Sequence, residues 1–198
     1  MTLSSVVSET EVAAYERELA EHLGVAHVVA VSSGTTALQT ALDAVGVRPG
    51  DEVLIPALTV VMSVAPVASI GARPVFVDCN ADGHGLSIVA DACQALGTRV
   101  DGTQAGTCAT IGCFSTHKQK LLSTDEGGFL TTNDDYLAAR SRAYRSHWLT
   151  PPDEQRPLSR LTHNFRLAEP LAELGRRELP YLVVIVLKRI DNTTLLLV

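Results

Sequence analysis

Residues 25–45 read VAHVVAVSSGTTALQTALDAV, and their pattern changes once, at the small polar run SSGTT. Before it, VAHVVAVSS (25–33) is a short apolar run that ends in small polar residues, as a buried strand does. After it, Ala37, Leu38, Leu42 and Val45 recur at helical spacing over 35–45. A strand that passes through Ser, Gly and Thr into a helix is the unit from which α/β domains are built. Small residues at that junction let an anion approach the backbone, and the first helical N–H groups point at it. The same residues are what an ordinary helix cap uses, and the segment alone supports either reading.

The unit repeats on both sides. Residues 9–23 carry Val12, Tyr15, Leu19 and Leu23 on one helical face, stopped by Gly24. After a turn at 48–53 come a strand, VLIP, an apolar helix, TVVMSVAPVASIG, and a strand at 72–78. A short strand is expected at 86–91, and further strands at 108–115 and 127–132. Helices are expected at 133–147, with an acidic start and a basic end, and at 164–179, where Pro170 either kinks the helix or marks its true start. The expected fold class is α/β with a mainly parallel sheet. One connection is awkward. Only CNADGHG (79–85) separates the strand at 72–78 from that at 86–91, too short for a parallel crossover. These strands therefore pair antiparallel, lie apart, or have lost a segment between them.

The 198-residue chain is 46% hydrophobic and 19% charged, with a formal charge of -6. That composition supports a sizeable core. It provides no clustered basic surface for nucleic acid, although a local site can still take an anion. The N-terminus has early acids and does not read as a signal peptide. The apolar run LVVIVL (182–187) is too short to span a bilayer. Cys79, Cys93, Cys108 and Cys113 form no CxxC pair and have apolar neighbours, so buried reduced thiols are expected. A cytoplasmic location is the resulting expectation, with neither membrane nor nucleic acid as partner.

Three further stretches could carry chemistry. Asp91 ends an apolar strand, where a carboxylate either faces a ligand or caps the next helix. CFSTHKQKLLSTDEGG (113–128) gathers Ser115, His117, Lys118, Lys120, Ser123 and Thr124 after a strand. A lysine there becomes a nucleophile toward carbonyls if burial or a neighbouring cation lowers its pKa, and is otherwise part of a solvated loop. HNFR (163–166) sets Asn164 and Arg166 before an amphipathic stretch, where cap and surface charge are the ordinary roles.

Taken together, VAVSSGTTAL, GDEVLIPALT, GARPVFVD, ADACQALG, GCFSTHKQK, EGGFLTTND and NFRLAEPLAEL resemble, in order, the DegT/DnrJ/EryC1/StrS family of pyridoxal phosphate (PLP) dependent aminotransferases. The resemblance covers most of residues 10–175. It implies the large-domain portion of the fold type I aminotransferase architecture and a homodimer, or a heterodimer with a homologue. The activity implied is transfer of an amino group from an amino acid, glutamate or glutamine by family habit, onto a keto sugar nucleotide or keto cyclitol, in antibiotic or surface-sugar biosynthesis. Lys120 matches the lysine that carries PLP and moves the proton. Asp91 matches the carboxylate facing the pyridine nitrogen, and Gln94 the residue beside the ring. Gly34, Thr35 and Ser115 match the phosphate cradle, with Thr36 a weaker member. Asn164 matches a residue reaching a phosphate across the dimer interface. His117 is assigned no step, and no metal is implied. Lysine rather than histidine at 120 sides with transamination against the dehydratase-like relatives.

The chain also departs from the family pattern. Family members are nearly twice as long. A helix–strand–helix segment is expected to be missing between FVDCNAD and GHGLSIVADACQALG, and so is most of the small C-terminal domain. Residues 1–180 are read as a shortened PLP-binding domain and 181–198 as an apolar tail, a possible remnant of the small domain. Val60 stands where an aromatic residue commonly stacks on the ring, Leu121 where Asn is usual, and Asp125 where Gly is commoner. The alternative function is a degenerate, non-catalytic homologue that binds and stabilises a full-length aminotransferase.

Overall fold

A computed structural model describes residues 9–78, 85–149, 160 and 162–196, with backbone only over 191–196. Cys79, the rest of the connection at 79–84, and most of the proline-rich stretch at 149–163 lie outside the described residues. In chain order the elements are α1 (Glu11–Leu23), β1 (His27–Val31), α2 (Gly34–Ala44), β2 (Glu52–Pro56), α3 (Val61–Ser69) and β3 (Arg73–Val77). Then come β4 (Val89–Asp91), β5 (Arg99–Val100), β6 (Thr103–Gln104), β7 (Ile111–Ser115) and β8 (Gly128–Thr132). Helices α4 (Asp135–Arg145), α5 (Glu169–Glu178) and α6 (Leu182–Leu196) close the chain.

The main sheet has the order β1-β8-β7-β4. β8 runs antiparallel to both β1 and β7, and β4 runs parallel to β7. Strands β1, β7 and β4 therefore share one direction, and their C-terminal ends emerge at one edge of the domain. The α/β class holds, but the main sheet is mixed and only partly parallel: three of its four strands share one direction, while two of its three ladders are antiparallel. β8 is the exception, because it returns from β7 through a loop, 116–127, that holds no helix to carry it back across the sheet. β2 and β3 pair parallel in a sheet of their own. The strands at 72–78 and 86–91 thus lie apart, with no ladder between β3 and β4 among the described residues.

Alternation along β1 decides which helices cover which face. Val28 and Ala30 point to α1 and α5, into a core with Tyr15, Leu19, Phe114, Phe129, Leu122 and Ala172. Val29 and Val31 point the other way, onto Ala37, Leu38 and Ala41 of α2, with Ile111, Cys113 and Leu130. Both faces are buried, which is why these strands read as continuous apolar runs. The β2–α3–β3 unit attaches through Ile55, Val67 and Ala72 to Leu42 of α2, with Val89 of β4 against the same cluster.

The helix ends follow their local chemistry. Thr10 caps α1, accepting from the N–H of Ala13, and Gly24 ends it at φ 70°, a left-handed conformation natural to glycine. Asp134 caps α4, accepting from the N–H groups of Tyr136 and Leu137. Pro170 lies in the first turn of α5, so it starts that helix rather than kinking it. The apolar tail is helical: Leu182 is buried against the core, while Val183, Val184, Leu187 and Ile190 are exposed. Among the described residues no helix is long and apolar enough to cross a membrane. The reading of the cysteines needs correction: Cys113 is buried and Cys93 half-buried, but Cys108 is exposed on the coil before β7.

Buried charges sit in sets. Glu16 of α1 accepts from the N–H of Ala30 at 2.9 Å and is paired with Arg142 and Arg145 of α4. The Tyr15 hydroxyl, by contrast, is buried with no described hydrogen-bond partner. An orphaned buried hydroxyl costs about 1–3 kcal/mol. Tyr15→Phe is therefore expected to stabilise the fold by about 1 kcal/mol in urea denaturation, with the slope unchanged.

Candidate functional site

Gly34, Ser115, Asp91 and Lys120, among the residues singled out in the sequence, gather where β1, β7 and β4 end. Ser33 caps α2: its hydroxyl accepts from the N–H of Thr36 at 3.1 Å, and Thr36 Oγ1 accepts from the N–H of Ser33 at 2.9 Å. The cap reading of SSGTT is thus correct for Ser33 and Thr36, whose polar atoms are engaged with each other. Gly34 and Thr35 open the helix beside them, Gly34 buried and Thr35 exposed. A Cβ on Gly34 would lie 2.8 Å from Cys93 Sγ and 2.9 Å from Ser115 Cβ. Only glycine allows the positive end of α2 to close on the ends of β7 and β4.

Asp91 is the last residue of β4 and is exposed. Its Oδ1 accepts from the N–H of Cys93 at 3.2 Å, a local turn. Its Oδ2 accepts from the Ser63 hydroxyl at 2.5 Å, a bond that arrives from α3. Among the described residues it caps no helix, since the chain continues in turns over 93–97. Burial first, then the charge of Asp91 and a hydrogen bond to it, push the Cys93 thiol up, while the charge of Lys120 opposes them. Cys93 is thereby held as a neutral thiol between Asp91, Lys120, Gly34 and Ser115. Burial also raises Cys113, one strand in.

The loop between β7 and β8 is tied along its length. The N–H of Thr116 donates to the Gly127 carbonyl at 2.9 Å, and that of Thr124 to the Thr116 carbonyl at 2.8 Å. The two threonine hydroxyls meet at 2.6 Å. Leu122 is fully buried in the α1–α5 core, and Leu121, standing in place of the usual Asn, packs against it. Lys120, between these anchors and the tip, is half-buried, and its amine forms no hydrogen bond or ion pair with a described residue. Its backbone N–H donates to the His117 carbonyl at 2.8 Å. Lys118 is exposed, and His117 lies 3.6 Å from Glu126. The two lysines differ: Lys120 is half-buried and its charge acts on the Cys93 thiol, while Lys118 is exposed.

Two residues remain outside this cluster. Gln94 is exposed on the turn after Asp91. Asn164 is also exposed; its side chain accepts from the N–H of Arg166 at 3.4 Å, and it reaches none of the other candidates within the chain. Its segment does run beside the end of β1, through the Val31–Arg166 bridge and the Ser32 N–H to Phe165 carbonyl bond at 2.9 Å. Val60 precedes α3 without a side-chain cap and is exposed with Leu58, Val61 and Met62. Sequence reasoning alone does not single out Ser63 or Cys93. Cys93 lies within ADACQ, but Ser63 contacts Asp91 across 28 residues and carries no local signal. Among the described residues no group of His, Cys, Asp and Glu could hold a metal ion.

A lysine, a carboxylate and a helix N-terminus thus lie near the C-terminal ends of co-directional strands, the place where open α/β sheets bind ligands. The chain belongs to the DegT/DnrJ/EryC1/StrS aminotransferase family, whose profile matches residues 4–83 and 80–197. The two matched pieces meet where the connection was too short, and the second takes in the helical tail. The chain is 31% identical over 205 residues to GDP-perosamine synthase from Caulobacter vibrioides, covering 83% of this chain and 55% of that protein. It is 31% identical over 172 residues to L-glutamine:2-deoxy-scyllo-inosose aminotransferase from Streptomyces kanamyceticus, covering 67% and 40%. It superposes with a TM-score of 0.78 at 30% identity on DesV from S. venezuelae, solved in complex with a ketimine intermediate, covering 87% and 57%. The chain thus spans about half the length of the relatives it matches.

Asp125 has φ 66°, the left-handed region that glycine occupies without strain, which accounts for the commoner Gly there. Asp125→Gly is expected to stabilise the chain by about 0.5–1 kcal/mol in denaturant titration, and a β-branched residue at 125 to destabilise it.

Proposed function

We propose that this chain forms the PLP-binding part of a transaminase acting on a keto sugar nucleotide or keto cyclitol. The observation that carries the reading is the convergence of Lys120, Asp91, Gly34 and Ser115 at one sheet edge. The residues fit the cofactor: the approach at Gly34 leaves no room for a side chain between the α2 N-terminus and Ser115, and Lys120 has no competing ion pair among the described residues.

Bound PLP supplies an electron sink for chemistry at the carbon bearing the amino group. The protein's share is binding and proton handling. Gly34, Thr35 and Ser115 would hold the phosphate against the positive end of α2. Asp91 would set its negative charge toward the pyridine nitrogen and favour its protonated form. Lys120 would be the amine that holds the cofactor and, when free, the group that handles the proton at the reacting carbon. Gln94 would stand beside the ring. Asn164, remote within the chain, serves the partner's phosphate in a dimer. The GDP-sugar and inosose relatives support sugars or cyclitols as acceptors, with an amino acid such as glutamine as donor, in a cytoplasmic antibiotic or surface-sugar pathway. The relatives lend no support to the alternative of a non-catalytic stabilising homologue.

Purified chain mixed with PLP is expected to develop a visible absorption band that Lys120→Ala lacks, while Lys118→Ala keeps it. No band in the parent would contradict the proposal. A missing stacking partner at Val60 weakens cofactor holding. Val60→Phe is expected to tighten PLP binding about three- to tenfold in a fluorescence titration, the equivalent of one aromatic contact.

A further inference from the structure

Asp91 receives two hydrogen bonds of different origin. The one from the Cys93 N–H belongs to the turn that β4 makes, and any residue at 93 other than proline would supply it. The one from the Ser63 hydroxyl comes from α3, within a β2–α3–β3 unit that shares no strand ladder with the main sheet. Ser63 is the third residue of α3; its own N–H is used on the Val60 carbonyl at 3.0 Å, which leaves the hydroxyl for Asp91. The hydroxyl lies in the first turn of α3, near the positive end of that helix. An exposed carboxylate held only by its own turn samples several rotamers. A second donor on the opposite oxygen fixes its plane.

We infer that Ser63 is a positioning residue: it orients Asp91 so that the carboxylate meets the cofactor's ring nitrogen. This rests on the function proposed above. Ser63 itself touches neither cofactor nor substrate and takes part in no bond change.

The test uses the full chain, ring-15N-labelled PLP, and the variants Ser63→Ala and Ser63→Thr. Ser63→Ala is expected to raise the PLP dissociation constant about five- to tenfold, the scale of one hydrogen bond to a charged group acting indirectly. It should also move the ring-nitrogen NMR signal toward the unprotonated position and leave the Tm of cofactor-free protein unchanged. Ser63→Thr, which keeps the hydroxyl, should restore both readouts. A parent chain that binds PLP through Lys120 while Ser63→Ala shows the same affinity and the same 15N signal overturns this inference alone. A fall in Tm with the 15N signal unmoved overturns it too, by making Ser63 a structural tie. A parent that shows no Lys120-dependent band removes the proposed function and this inference together.

Discussion

The first residue of α2 touches the last residue of β7, and the arrangement of the site depends on that contact. With a side chain at 34, the helix would have to retreat from Ser115 and Cys93, whose atoms lie within 3 Å of where a Cβ would be. Gly128 makes the same demand from the other side, since a Cβ there would meet the Gly34 nitrogen at 2.7 Å. Two glycines from distant parts of the chain thus let a helix N-terminus, a strand end and an antiparallel strand share one point. The positive end of α2 and the loop bearing Lys120 then share the edge at which β4 delivers Asp91.

Much of this is legible in the sequence because it is local. Apolar runs of strand length alternating with helix-period segments announce the α/β layers, and β1 alternates between two cores as its continuous apolar character implies. The candidates Gly34, Ser115, Asp91 and Lys120 come from motif order, and the chain brings them together. What escapes is non-local. Ser63 binds Asp91 only because α3 packs against α2, and nothing in VVMSVAP foretells that partner. The hairpin β5–β6 escapes as well, although its turn holds Asp101 and Gly102, both at positive φ, an Asp-Gly signal in a strand pair too short for alternation to show. Cys108, expected to be buried, stands between Thr107 and Ala109 on the coil before β7, which leaves it outside.

The shortness of the connection at 79–85 is legible too. β4 is an edge of the main sheet and β2–β3 a sheet apart, packed on the rest through α3 against α2 and through Ile55, Val67 and Ala72 against Leu42 and Val89. Leu54 and Phe76 on that pair, and Val60, Val61 and Met62 around the start of α3, remain exposed. The side of the site built on β1, β7 and β8 is therefore well supported by packing on both faces. The side built on α3 rests on its packing against α2 and on the cluster of Leu42, Ile55, Val67 and Ala72.

The central claim, that the strand ends converge on Lys120 as the cofactor lysine, is tested most directly by trapping. The chain would be incubated with PLP, reduced with borohydride, digested and mapped by mass spectrometry. The expected result is a phosphopyridoxyl group on the peptide containing Lys120, with Lys120 itself as the modified residue. Modification confined to Lys118 or Lys188, or spread evenly over the exposed amines, would contradict it.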